Sequence, residues 1–179
     1  MKKIGLILGS NLPSRICPEI GNWVHNNLDS SDYETEVLDL SQINLPFLDE
    51  TEIPAKQQYQ KDHSKEWSQK IKSLDAVIFL YPQYNWGYPA VLKNAIDYLA
   101  SEWRDKKVSF ISYGSHGGLQ AQIALDLVAV GLKMAKLSTN PLININADMF
   151  TDDHQLISGQ LDRQKYKIAL LKTELESII

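Results

Sequence analysis

The chain has 179 residues, 44% of them hydrophobic and 22% charged, with a formal net charge of −4. That size and composition predict one globular domain over residues 1–179, and the acidic balance argues against a generic nucleic-acid binder, which needs a basic face. A lone cysteine, Cys17, excludes an intrachain disulfide and suits a cytoplasmic protein, and no stretch approaches the ~20 apolar residues of a membrane insertion.

The opening MKKIGLILGS carries charge and then an apolar run of about six residues, too short for a signal peptide. Lys3 to Gly9 therefore reads as a buried first strand. A helix is predicted from Arg15 to Leu28, with Ile16, Ile20, Trp23, Val24 and Leu28 on one face and Pro18 tolerable only in its first turn. Thr35 to Leu40 alternates like an edge strand, Asn44 to Pro54 reads as a surface loop, and Gln57 to Ser73 as a polar helix. Asp75 to Tyr81 is the clearest central strand. An irregular loop, Pro82 to Tyr88, leads into a helix from Pro89 to Trp103. Lys107 to Tyr113 is a fourth strand and Gly117 to Leu132 a helix. Ala135 to Ile145 is a fifth strand or strand pair broken at Pro141. Asp148 to Ser158 is a polar loop, and Gln160 to Ile178 closes the chain as a helix. Strands alternating with helices predict an α/β, doubly wound parallel sheet of order 2-1-3-4-5.

Ligands of such sheets bind beyond the carboxyl ends of the strands, where strand order reverses. The segments after strands one, three and four are all unusual. Gly9 to Arg15 joins a buried strand to a helix N-terminus, where backbone amides favour phosphate. Ser10, Asn11, Ser14 and Arg15 add donors there, the alternative being that Ser14 caps the helix and Arg15 is solvated. It is neither a Walker A loop nor a Gly-x-Gly-x-x-Gly fingerprint. Pro82-Gln-Tyr-Asn-Trp-Gly-Tyr-Pro89 offers amides and aromatic rings that suit a flat heteroaromatic ligand, or else packs on the core. Tyr113 to Gly118 ends in two glycines that permit close approach or positive φ, for a ligand or for the turn alone.

Together the string YPQYNWGYPAVLKNAIDYL, the first loop with its Ile-Cys-Pro-Glu-Ile, Leu45 to Asp49 and the YGSHGG turn resemble the NAD(P)H-dependent FMN reductase and quinone reductase family. The resemblance implies a flavodoxin-like three-layer sandwich with a parallel five-stranded sheet. It also implies FMN as cofactor and NADPH or NADH as co-substrate. By it, Ser10, Arg15 and Ile16 hold the phosphate end, Pro82, Gln83, Tyr84 and Asn85 edge the ring, and Ser115, Gly117 and Gly118 line its other edge. Leu12 stands where many relatives carry an arginine. A small-molecule electron acceptor (a quinone, azo dye, free flavin or ferric chelate) would be reduced with ping-pong kinetics. No catalytic side chain is nominated, although Tyr84 or water can supply protons. A homodimer or dimer of dimers is also implied, with Trp86, Tyr88 and Trp103 either at its seam or in the core.

Three other readings are weighed. Cys17 is redox-active or simply packed. Ser10 with Asp152 and His154 faintly mimics a hydrolase. An electron carrier without its own NAD(P)H oxidation is the alternative function. His25, His63, His116 and His154 are scattered and predict no metal site.

Overall fold

The computed structural model describes residues 1–179. Strand β1 (Lys2–Leu8) pairs in parallel with β2 (Tyr33–Asp39) and β3 (Ala76–Pro82), and β3 pairs with β4 (Lys107–Gly114). Two short pieces, β5 (Ala135–Lys136) and β6 (Leu142–Asn144), pair with the two ends of β4. The order β2-β1-β3-β4-β5 is the one expected. Parallel neighbours need crossovers, and these are supplied by α1 (Cys17–Asn27), α3 (Asp62–Lys72), α4 (Ala90–Asp97) and α5 (Leu119–Gly131). The single turn α2 (Leu40–Ile43) follows β2, and α6 (Lys165–Ile178) ends the chain.

Every residue of β3 is buried. Its alternate side chains feed two cores, because a strand covered on both faces must be apolar on both. Val77, Phe79 and Tyr81 meet Ile71 of α3, Leu92 and Ile96 of α4 and Leu125 of α5. Ile78 and Leu80 meet Ile20 and Val24 of α1 and Ile168, Leu171 and Leu175 of α6. The result is a three-layer sandwich whose strands all end at one edge.

The structure corrects several predicted boundaries. The fifth strand is split because Pro141 has no N–H to give. The Asn140 side chain bridges the gap, its Oδ1 accepting from Phe110 N at 2.9 Å. The helix predicted to run to Trp103 stops at Asp97. In a continuing helix Ala100 N would donate to Ile96 O, but that oxygen accepts from the Trp103 indole at 2.9 Å. Ala100 N turns instead to the buried Glu102 carboxylate, and Ser101–Trp103 forms a 3₁₀ turn. Trp103 is fully buried, so it belongs to the core and not to a subunit seam. Helix α3 starts at Asp62 rather than Gln57. The Glu50 carboxylate takes the amides of Gln60 and Lys61, at 2.9 and 3.0 Å, and so holds the chain before it extended. Gln160–Gln164 is 3₁₀, and α6 begins after it.

Candidate active site

The turns after β1, β3 and β4 come together at the carboxyl edge of the sheet. The first leaves β1 with Gly9 N still bonded to Leu80 O, at 2.8 Å, and tightens where Arg15 N donates to Leu12 O. Ile16 is the N-cap of α1 and no side chain caps the helix, which leaves its first amides open. Ser14 is therefore not a cap. Nor is Arg15 solvated: its fork grips Asp39 at the end of β2 with two bonds of 2.7 Å, and it also donates to the Ser10 carbonyl. The two side chains are only 13% and 12% exposed. Burial alone would raise the Asp39 carboxyl, but the Arg15 fork and the Ser41 amide outweigh it and hold the group below the usual carboxylate range.

The second turn is not irregular. Tyr84 and Gly87 exchange both backbone hydrogen bonds, at 2.9 and 2.8 Å, around Asn85 and Trp86 at φ 47° and 66°. This two-residue turn has left-handed backbone at both central positions, without the glycine such turns favour. Its construction satisfies Tyr84 and Gly87 and leaves the amides of Asn85 and Trp86 without partners in the chain. The Trp86 ring is 73% exposed. Tyr84 reaches back to the first turn, its hydroxyl 3.2 Å from the buried Ser10 Oγ.

In the third turn Gly117 N donates to Gly114 O at 3.0 Å, and the amides of Ser115, His116 and Gly118 have no partner in the chain. Gly117 and Gly118 lie at φ 70° and 76°, and a Cβ on Gly117 would stand 2.7 Å from the Leu142 side chain, so the turn needs glycine for both conformation and space. Ser112 Oγ pins it by donating to Gly117 O at 2.9 Å. The Gln83 side chain joins the second turn to α5, accepting from Ala121 N at 3.1 Å.

The chain that carries these turns has known relatives in sequence and in fold. The family model described as NADPH-dependent FMN reductase matches residues 2–147. The chain belongs to the NADPH-dependent FMN reductase family. Among its relatives, an NAD(P)H-dependent FMN reductase of Saccharomyces cerevisiae is 41% identical over 144 residues, 74% of this chain and 75% of the yeast protein. One from Schizosaccharomyces pombe is 39% identical over 163 residues, covering 89% of this chain and 78% of that one. The solved flavoenzyme NAD(P)H:(acceptor) oxidoreductase of Paracoccus denitrificans superposes with a TM-score of 0.74 at 20% identity, over 99% of this chain and 98% of that one, which shows the shared flavodoxin-like fold.

As a member of this reductase family the chain puts all its sequence-predicted site residues at the three turns. Ser10, Arg15 and Ile16 are on the first, Gln83, Tyr84 and Asn85 on the second with Pro82 closing β3 just before it, and Ser115, Gly117 and Gly118 on the third. Sequence reasoning missed Asp39, which engages the Arg15 fork, and Ser112, which pins the glycine turn. The only signal for Asp39 was its place at the carboxyl end of a strand beside the switch point. Two alternatives fall away. Burial pushes the Cys17 thiol up to about 12, so it stays protonated and unreactive near neutrality. Ser10 Oγ faces a tyrosine, not the histidine a hydrolase would need.

Proposed function

We propose that the chain binds FMN and passes reducing equivalents from NADH or NADPH to a small acceptor, a quinone, azo compound, free flavin or ferric chelate, in turn at one site. One observation supports this best: the donors left over by the fold cluster on three adjacent turns. The residues suit FMN. Open amides at the N-terminus of α1, with Ser10, Arg15 and Ile16 around them, would take the phosphate. Pro82 to Asn85 would edge the ring system, and Ser115, Gly117 and Gly118 would meet its opposite edge. The chemistry that FMN supplies when bound is two-electron transfer, taking hydride from the nicotinamide and passing electrons to the acceptor.

The protein supplies placement and electrostatics. Amides of Ser115, His116 and Gly118 are fixed donors for negative charge at the ring edge, held ready by Ser112 and the two glycines. The Tyr84 hydroxyl, partly exposed and held on Ser10, can keep a proton for a reduced acceptor at that oxygen. Trp86 presents an aromatic face to solvent beside it, a surface on which a flat acceptor can stack. No helix is long and apolar enough to cross a membrane.

We also infer a homodimer. The outer face of α5 carries Leu119, Ile123, Leu127 and Val130, all exposed at one helical stripe, an apolar surface unusual for a monomer. The visible spectrum of purified protein titrated with FMN, then given NADH or NADPH without air, tests the central reading. Bound flavin that bleaches is the expected result. Flavin that binds but does not bleach would indicate an electron carrier, and no uptake of FMN would overturn the reading.

A further inference from the structure

A polar cavity of about 220 Å³ opens where β6 ends and α6 begins, lined in part by Asn144, Asp148, Arg163, Gln164, Tyr166 and Lys167. Because β6 is parallel to its neighbours and α6 returns from the same side, the cavity lies at the edge that carries the three turns. It also shares a wall with the third one. Asn144 Oδ1 lies 3.3 Å from where a Cβ on Gly117 would be, and Ile145 N donates to Gly114 O at 2.9 Å.

The lining has an excess of unneutralised positive charge. Lys167 Nζ is held by neutral groups, Leu142 O at 2.6 Å and Gln164 Oε1 at 2.9 Å, with one face of the Tyr166 ring 5.9 Å away at its centroid. Arg163, one helical turn earlier, is exposed, and neither cation has a carboxylate within ion-pair distance. Burial lowers the Lys167 ammonium, since its charge is partly removed from water. Gln164 braces the wall by bonding both backbone groups of Asn144, at 2.9 and 2.8 Å. The Tyr166 ring, 61% exposed, offers a stacking face at the rim. Two cations and side-chain amides can donate to a phosphate, and an aromatic ring can stack on adenine, the combination a phosphorylated adenosine uses.

We propose that this cavity receives the 2′-phosphoadenosine end of NADPH and so sets the preference between the two nicotinamide nucleotides. The inference rests on the reductase reading for its biological role, but not for its first test. Calorimetry on the full-length, FMN-supplemented protein compares 2′,5′-ADP with 5′-AMP, which lacks the second phosphate. Binding of 2′,5′-ADP should be about tenfold tighter or more, and Arg163→Glu should erase the difference. Asp148, the one carboxylate in the lining, opposes an anion, so Asp148→Asn should tighten 2′,5′-ADP. Equal binding of the two nucleotides would overturn the proposal. So would displacement of 2′,5′-ADP by inorganic phosphate at equal concentration, which would mark a bare anion site. In turnover, Arg163→Glu should lower the ratio of kcat/KM for NADPH to that for NADH about tenfold, and an unchanged ratio would refute the assignment. A protein that oxidises neither nucleotide would defeat the reductase reading, and the 2′,5′-ADP titration would still decide the cavity.

Discussion

Asn85 and Trp86 both occupy the left-handed region, at φ 47° and 66°, and a bulky residue there costs roughly 1–2 kcal/mol. Since Trp86 is largely exposed, its ring returns little of that cost through packing. Trp86→Gly makes the Asn-Gly pair such turns favour. It should raise stability by about 1 kcal/mol in urea unfolding while lowering kcat/KM for the acceptor. A variant that is stabilised with unchanged kinetics would remove Trp86 from the site. At Gly117 the argument runs the other way. Gly117→Ala forces both a positive φ and a clash with Leu142, and should cost about 1–2 kcal/mol and weaken FMN binding. The Arg15–Asp39 pair separates holding from positioning. Arg15→Ala should weaken FMN about tenfold. Asp39→Asn should weaken it as well, because Asp39 aims the fork. Tighter binding in Asp39→Asn would instead show that the fork leaves Asp39 for the phosphate.

Among the elements, the early end of α4 depends on one buried carboxylate. Glu102 accepts from Ser68 Oγ at 2.6 Å and the Tyr59 hydroxyl at 3.0 Å, with Lys72 at 3.3 Å. Burial would raise its carboxyl, but these hydrogen bonds and Lys72 outweigh that and lower it below the ordinary glutamate value. A carboxyl with a depressed folded value lends stability above its unfolded value and loses it as pH falls through the folded one. Wild-type stability should therefore decline as pH drops below the ordinary glutamate range. Glu102→Gln should cost about 1–3 kcal/mol near neutrality and flatten that acid dependence, as measured by urea unfolding across pH. An unaltered acid slope would mean that other carboxylates carry it, Asp39 among them.

At the scale of the molecule, the α5 stripe bears on assembly. If it is the seam, light scattering on the purified protein gives a dimer, and Leu127→Glu, which buries a charge between subunits, gives a monomer. A wild-type monomer would sink that inference and leave the stripe unexplained. The aromatic residues first considered for the seam divide differently. Trp103 fills the core, Tyr88 packs against it, and only Trp86 faces outward.

The parallel sheet, its order and the three turns at its carboxyl edge were legible in the sequence because they rest on local signals. Continuous apolar runs mark strands covered on both faces, helical periodicity marks the crossovers, and the Gly-Gly and Pro-rich segments mark turns whose backbone needs are local. Where a boundary or a role depends on which side chain hydrogen-bonds to the backbone or to another side chain, the sequence was silent. Glu50 sets the start of α3, the indole of Trp103 and the carboxylate of Glu102 end α4, and Asp39 claims the fork of Arg15. Hydrogen bonds to buried side chains can outweigh helix propensity worth only tenths of a kcal/mol per residue. Which residues make them is fixed only when the chain folds back on itself.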